Sequence, residues 1–390
     1  MHDASAILLQ LFTVFVAAQI GAEIAQRLRL PGVVGEIAAG AAIGPAALGW
    51  VHPGEALDVL AEIGVVLLLF SVGLETRLED LKRVGRSAFL VGVLGVIVPF
   101  VLGTLWAHSA GFPWHKSLFV AAAFVATSAG ITARVLQELG ALQRTESRVI
   151  LGAAVIDDIL AMLLLGVVVA LQGGEQLRLG PLLVVLGEAV AFIGVIGWLG
   201  TRVMRRRSDW LDKPINPLSP LSIVLAMCLG LAFLSTRFGL AAIIGAFLAG
   251  MIASESGQRH QLEQQTRPLL ALLTPFFFVI TGTKVDVSVF ASPAALSMLA
   301  IVTGIALISK LAGGFLGALA LGRRGALIVG VGMVPRGEVG VVIASLGLSA
   351  GVFSDQTYAV IVAMSLLTAM VTPPVLALLL RRPTDEGVAG

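Results

Sequence analysis

Charge is scarce in this sequence. Of its 390 residues, 13% are Asp, Glu, Lys or Arg, about half the share of roughly 25% usual in a soluble domain. So little charge cannot coat a water-exposed surface of this size, which excludes an ordinary soluble enzyme, a disordered chain and a nucleic-acid binder. Cysteine is nearly absent too: Cys228 is the only one. That excludes an intrachain disulfide framework and a Cys-based metal centre. The five histidines (His2, His52, His108, His115, His260) are expected in loops or tails and show no ligand spacing. Met1-His2-Asp3 lacks the basic start of a cleaved signal, so the first apolar run is expected to be retained.

What fills the chain is hydrophobic: 57% of residues, with a mean hydropathy of +0.97. A membrane-spanning helix needs roughly 20 mostly apolar residues. About 13 such runs are predicted, near 5–25, 33–50, 57–74, 88–107, 117–139, 149–170, 182–203, 218–235, 239–253, 269–281, 293–317, 325–348 and 357–380. Basic residues divide unevenly between alternate loops, 19 against 4, leaving Arg134, Lys310 and Arg336 inside the runs. Because basic loops stay in the cytoplasm, the split predicts an N-terminus outside and a C-terminus inside. Arg134 is expected to snorkel to a nearby interface.

The most basic loop, Arg202–Pro220, divides the chain. We read residues 1–181 as a first six-helix repeat, 182–217 as a linker helix with its basic loop, and 218–390 as a second repeat. Only about ten residues follow the last run, so no cytoplasmic regulatory domain is expected. The fifth helix of each six is interrupted, by Ala126-Thr127-Ser128-Ala129-Gly130 and by Gly332-Met333-Val334-Pro335-Arg336-Gly337-Glu338. Proline removes a backbone donor and clashes with the preceding turn. Irregular backbone at membrane depth survives only inside protein or beside a water-filled cavity. The breaks lie seven helices apart and so cross in opposite directions. The expected fold is an all-α polytopic membrane protein with an inverted repeat and two crossed discontinuous helices, and a site at mid-membrane. Broken helices expose their dipole ends, which Arg336 and Glu338 are placed to compensate unless they pair with each other.

Asp157 and Asp158 sit in the apolar run Gly152–Leu160, roughly 12 Å beyond the basic edge at Arg148. An ionisable residue at membrane centre costs about 2.5–3.5 kcal/mol, so two adjacent acids there mark a functional site. Neighbouring helix positions diverge by about 100°. One acid can therefore meet a partner while the other faces a cavity, and mid-span Lys310 is the expected partner. With Asp157, Asp158, Glu338, Lys310 and Arg336 all ionised, the cluster carries one net negative charge. A monovalent cation or a proton would cancel it, and competition between them at one site is the basis of exchange. Glu23, Glu36, Glu62 and Glu188 are expected to be interfacial or packing residues. An intramembrane aspartyl protease needs two carboxyls facing one water, which adjacent positions on one helix do not provide. A structural scaffold leaves the buried charges without a use.

These residues resemble the bacterial NapA-type Na+/H+ antiporters, in the second branch of the monovalent cation:proton antiporters. The likeness rests on Gly40–Pro45 (GAAIGP), Leu68–Arg77 (LLFSVGLETR), Ala126–Gly140 (ATSAGITARVLQELG), Ile150–Asp158 (ILGAAVIDD), Gly330–Gly340 (GVGMVPRGEVG) and Lys310. It covers essentially the whole chain. The resemblance implies a homodimer in the bacterial inner membrane, with no cofactor, exchanging Na+ or Li+ for protons by an elevator-like movement of a core domain. It implies that Asp158 binds the ion or proton, that Asp157 pairs with Lys310 when no ion is bound, and that Thr127 and Ser128 complete the site. An Asp-Asp pair resembles the electrogenic members, which exchange two protons per Na+; electroneutral relatives tend to carry Asn-Asp. The alternative is K+/H+ exchange or a KefC-like K+ efflux pathway, although those relatives tend to carry Gln-Asp and a nucleotide-binding domain.

Overall fold

The computed structural model describes residues 4–172, 179–207, 219–284 and 293–380. Among these residues all regular structure is helical, in fifteen α-helices. In chain order they are α1 Ala4–Arg27, α2 Gly32–Ile43, α3 Glu55–Leu74, α4 Leu78–Ser109, α5 Trp114–Val125, α6 Ala129–Glu138, α7 Thr145–Gln172 and α8 Leu179–Arg207. There follow α9 Ser219–Arg237, α10 Ala242–Ala253, α11 Arg259–Thr283, α12 Pro293–Gly317, α13 Gly322–Gly332, α14 Glu338–Ser349 and α15 Asp355–Leu380. Among the described residues, ten segments are long and apolar enough to cross a membrane, Trp114–Glu138 counting as one across the gap between α5 and α6. Gly32–Ile43, Ala242–Ala253 and Val339–Ser349 are shorter apolar helices. The chain is a polytopic membrane protein.

Several boundaries differ from the sequence expectation, each for a local reason. The run 33–50 is helical only to Ile43. Gly44 takes up an extended backbone there, and a residue before proline is driven out of the helical region. Helices α4 and α11 begin about ten residues before their apolar runs, at Leu78 and Arg259. Their first turns are polar and continue the helix past the hydrophobic stretch. His108, His115 and His260 lie in the end turns of α4, α5 and α11 rather than in loops, His52 is in a loop, and His2 falls outside the described residues.

The helices pack as two bundles. One comprises α1–α3 and α9–α11, with α8 laid against α10; the other comprises α4–α7 and α12–α15. In the first bundle backbones meet directly. A Cβ on Gly40 would overlap the Val279 carbonyl of α11, and one on Gly73 of α3 would overlap the Phe247 carbonyl of α10. Without side chains at these points the helices approach to backbone contact, the usual means of association in lipid. Helix α6 touches both bundles, lying against α2 and α3 on one side and α7 and α15 on the other.

Candidate functional site

Three elements of the second bundle bring charge together: α7, α12 and the paired breaks. Asp157 and Lys310 are both fully buried and form an ion pair, with Nζ to Oδ1 at 2.5 Å. The lysine also donates to the carbonyls of Gly95 (2.8 Å) and Val125 (2.6 Å). All three ammonium protons thus have acceptors. Val125 is the last residue of α5, so the cation sits where that helix presents its partial negative end. Gly95 lies directly beside the pair: a Cβ there would sit in ordinary contact, 3.5 Å from Oδ1 and 3.6 Å from Nζ. The second oxygen of Asp157 has no hydrogen-bond partner.

Asp158 points elsewhere. It lines a narrow cavity of about 10 Å³ with Leu69, Ala129, Leu151, Ile243 and Phe247, barely the space one water needs. That cavity lies between the bundles, because Leu69, Ile243 and Phe247 belong to α3 and α10. The two adjacent acids therefore divide: Asp157 faces Lys310, and Asp158 the seam.

The breaks are stitched together. Between α5 and α6 the chain leaves the helix through Ala126, Thr127 and Ser128; between α13 and α14 it does so through Val334–Gly337, with Pro335 in the middle. The Ser128 amide donates to the Pro335 carbonyl at 2.8 Å. The Thr127 and Thr132 hydroxyls donate to the carbonyls of Met333 (3.3 Å) and Gly332 (2.8 Å), two of the groups left open at the end of α13. A Cβ at Gly337 would meet the Ser128 hydroxyl at 2.6 Å, so only glycine lets the strands cross this closely. Arg336 is fully buried and donates to the Val334 (3.0 Å) and Ala306 (3.1 Å) carbonyls, while its amide donates to Thr368 Oγ1 at 3.1 Å. Glu338 begins α14, at the end where an acid suits the dipole; its side chain lies outside the described residues.

Thr127, Ser128, Asp157, Asp158, Lys310 and Arg336 thus converge on one crossing. The carbonyls of Gly95, Val125 and Ala306 joined them without any signal in the sequence, since every residue has a carbonyl. Thr132 and Thr368 had a faint one, as hydroxyls within apolar helices.

The family described as "Sodium/hydrogen exchanger, transmembrane" matches residues 11–382. The chain belongs to the sodium/hydrogen exchanger family. It is 35% identical over 372 residues to the Na(+)/H(+)-K(+) antiporter GerN of Bacillus cereus, covering 94% of each chain. It is 34% identical to the high-affinity Na(+)/H(+) antiporter NhaS3 of Synechocystis, covering 94% of this chain and 88% of that one. Its fold matches the sodium proton antiporter MjNhaP1 of Methanocaldococcus jannaschii, with TM-score 0.67 and 18% identity over 96% and 98% of the two chains. As a family member it is a transporter and not an enzyme.

Proposed function

We propose that this exchanger moves Na+ or Li+ out of the cytoplasm in return for protons. The observation that carries the proposal is the split between adjacent acids, with Asp157 bound to Lys310 and Asp158 directed into the seam cavity. Asp158 then holds either a cation or a proton. Hydroxyls and carbonyls at the crossing, from Thr127 and Ser128, complete the cation's shell, and Arg336 and Glu338 balance the helix ends. Asp157 keeps Lys310 occupied in the ion-free state. Release of that pair on cation binding would let a second proton travel, giving two protons per Na+. Such a cycle moves one net charge, worth about 2.3 kcal/mol per 100 mV.

Thirteen crossings in an inverted repeat are part of this reading, and the packing supports it. The contacts α1·α2 and α4·α7 within the first half are matched by α9·α10 and α12·α15 within the second, and the contact α3·α10 between the halves is matched by α11·α2. On this reading 1–181 and 218–390 are the repeats and 182–217 links them. The bundle of α4–α7 and α12–α15 is the moving part of an elevator. The exposed α1, with an apolar groove of about 640 Å³ against α2, is suited to a homodimer contact. The chain would lie in the bacterial inner membrane with its N-terminus outside.

Proteoliposomes with an imposed pH gradient test the proposal. Na+ or Li+ should collapse the gradient in a voltage-dependent way, and Asp158→Asn should not respond. The likeness to GerN, an Na(+)/H(+)-K(+) antiporter, favours one second reading, exchange of K+. Gradient collapse by K+ alone would replace the first reading with the second.

A further inference from the structure

Helix α4 runs from Leu78 to Ser109 with a single proline, Pro99, in its interior. An interior proline has no N–H to give to the carbonyl four residues earlier, and its ring crowds that carbonyl. In α4 the carbonyl four residues earlier belongs to Gly95, and it accepts from Lys310 Nζ at 2.8 Å. The one carbonyl that the proline releases is thus the one the lysine uses. Gly95 and Pro99 are both buried, so bulk water does not reach this oxygen, and a buried carbonyl without a donor is costly.

The lysine's other neutral acceptor has the same origin. Val125 ends α5, and the residue four further on, Ala129, already begins α6 beyond the break. In an intact ladder a carbonyl points along the axis at the amide four residues on. Freed from that amide, it can turn sideways and give its lone pairs to an ammonium. Both carbonyls at Nζ therefore come from missing rungs, one at a helix end and one at a proline. The register of the lysine against α4 is set by glycines farther along α12. A Cβ on Gly313 would overlap the Leu94 carbonyl, and one on Gly317 would fall 2.6 Å from the Val91 Cα.

We propose that Pro99 is a positioning residue for ion exchange, which withholds an N–H from the Gly95 carbonyl and so keeps a standing acceptor for Lys310 when Asp157 lets go. The transport consequence rests on the reading above, in which cation binding releases the Asp157–Lys310 pair; the release of the Gly95 carbonyl does not. Paired, the ammonium has three acceptors. Released, it keeps the two carbonyls alone. Pro99→Ala returns the Gly95 carbonyl to its ladder, and the released state, with fewer acceptors left, loses more than the paired one. The cation then competes against a more firmly held pair. The apparent KM for the transported cation should rise several-fold while the maximal rate is kept.

The test separates helix shape from lysine positioning. Melting temperatures are measured for Pro99→Ala in the unchanged chain and in Asp157→Leu,Lys310→Met, where apolar side chains replace the pair. The void left by the proline ring is common to both chains and cancels in the difference, leaving the coupling between Pro99 and the pair. We expect the change on Pro99→Ala to be more unfavourable in the unchanged chain by several degrees, because in the pair-free chain the new N–H meets a carbonyl that has lost its lysine. The same change in both chains, or a more unfavourable one in the pair-free chain, overturns the proposal. In proteoliposomes, a raised KM at a retained maximal rate supports the role in exchange, and an unchanged KM removes it. An unchanged chain that exchanges no cation would sink the proposed function, while the melting difference still decides whether Pro99 serves Lys310.

Discussion

In the bundle of α1–α3 and α9–α11, helices meet through bare backbone at Gly40, Gly73, Gly245 and Gly250. In the bundle of α4–α7 and α12–α15, backbones also meet directly, at Gly313 and Gly317 of α12 against α4, but buried charge and hydroxyls are added at Lys310, Asp157, Thr127 and Thr132. The first style leaves little that can rearrange, because close-packed backbone has no rotamers. The second depends on protons and ions, and so can answer to them. What sets the second bundle apart is therefore its buried ion pair and the hydroxyls at the crossing.

Altering the responsive side should separate activity from stability most sharply. Asp158→Asn is expected to lower exchange to the protein-free background in proteoliposomes while thermal unfolding changes little, since the isosteric amide still fits its cavity. Retained Na+-dependent exchange would remove Asp158 from its role. Lys310→Ala comes next. It leaves Asp157 buried without its partner, which costs about 3–5 kcal/mol, and should show as a large fall in melting temperature; Lys310→Ala,Asp157→Asn should recover much of it. No recovery in the double variant would mean that the pair is not what sets the cost.

On the rigid side, Gly40→Ala forces a Cβ into the Val279 carbonyl. Overpacking of this kind costs about 1–3 kcal/mol. It should lower the melting temperature and leave the cation affinity of the surviving folded protein unchanged. A changed affinity would mean that the two bundles are not independent in this respect. The smallest effect is expected at Glu75, at the end of α3. Burial holds its carboxyl above the usual range, partly offset by the Gln137 hydrogen bond. A raised acid favours the folded state when protonated, so its contribution is present at low pH and lost as pH rises through the raised value. Glu75→Gln should flatten that slope, and the same slope in both proteins would exclude Glu75 as its source.

Much of the charged bundle was legible in the sequence, because charge in an apolar run stands out. Asp157, Asp158, Lys310 and Arg336 are conspicuous for that reason, and Pro335 marks its break. The boundaries of α4 and α11 were not, because a helix that leaves the membrane keeps its hydrogen bonds while losing its hydrophobicity. Arg134 was expected to snorkel to an interface and Glu36 to be an interfacial or packing residue. Only the folded chain brings α2 and α6 together, with an Arg134 Nη2 3.9 Å from a Glu36 oxygen, and no spacing rule connects residues 98 apart. Backbone acceptors such as the Val125 carbonyl leave no trace in a sequence at all.

The link from the Ser128 amide to the Pro335 carbonyl joins two peptide groups, and Gly337 keeps the space beside it open. A designer who wished to change the transported ion would therefore start with a fixed frame. The acids and hydroxyls around the crossing can be exchanged one at a time while this peptide-to-peptide link stays available. Altering the substrate then becomes a matter of refitting a socket, without redrawing the housing that holds it.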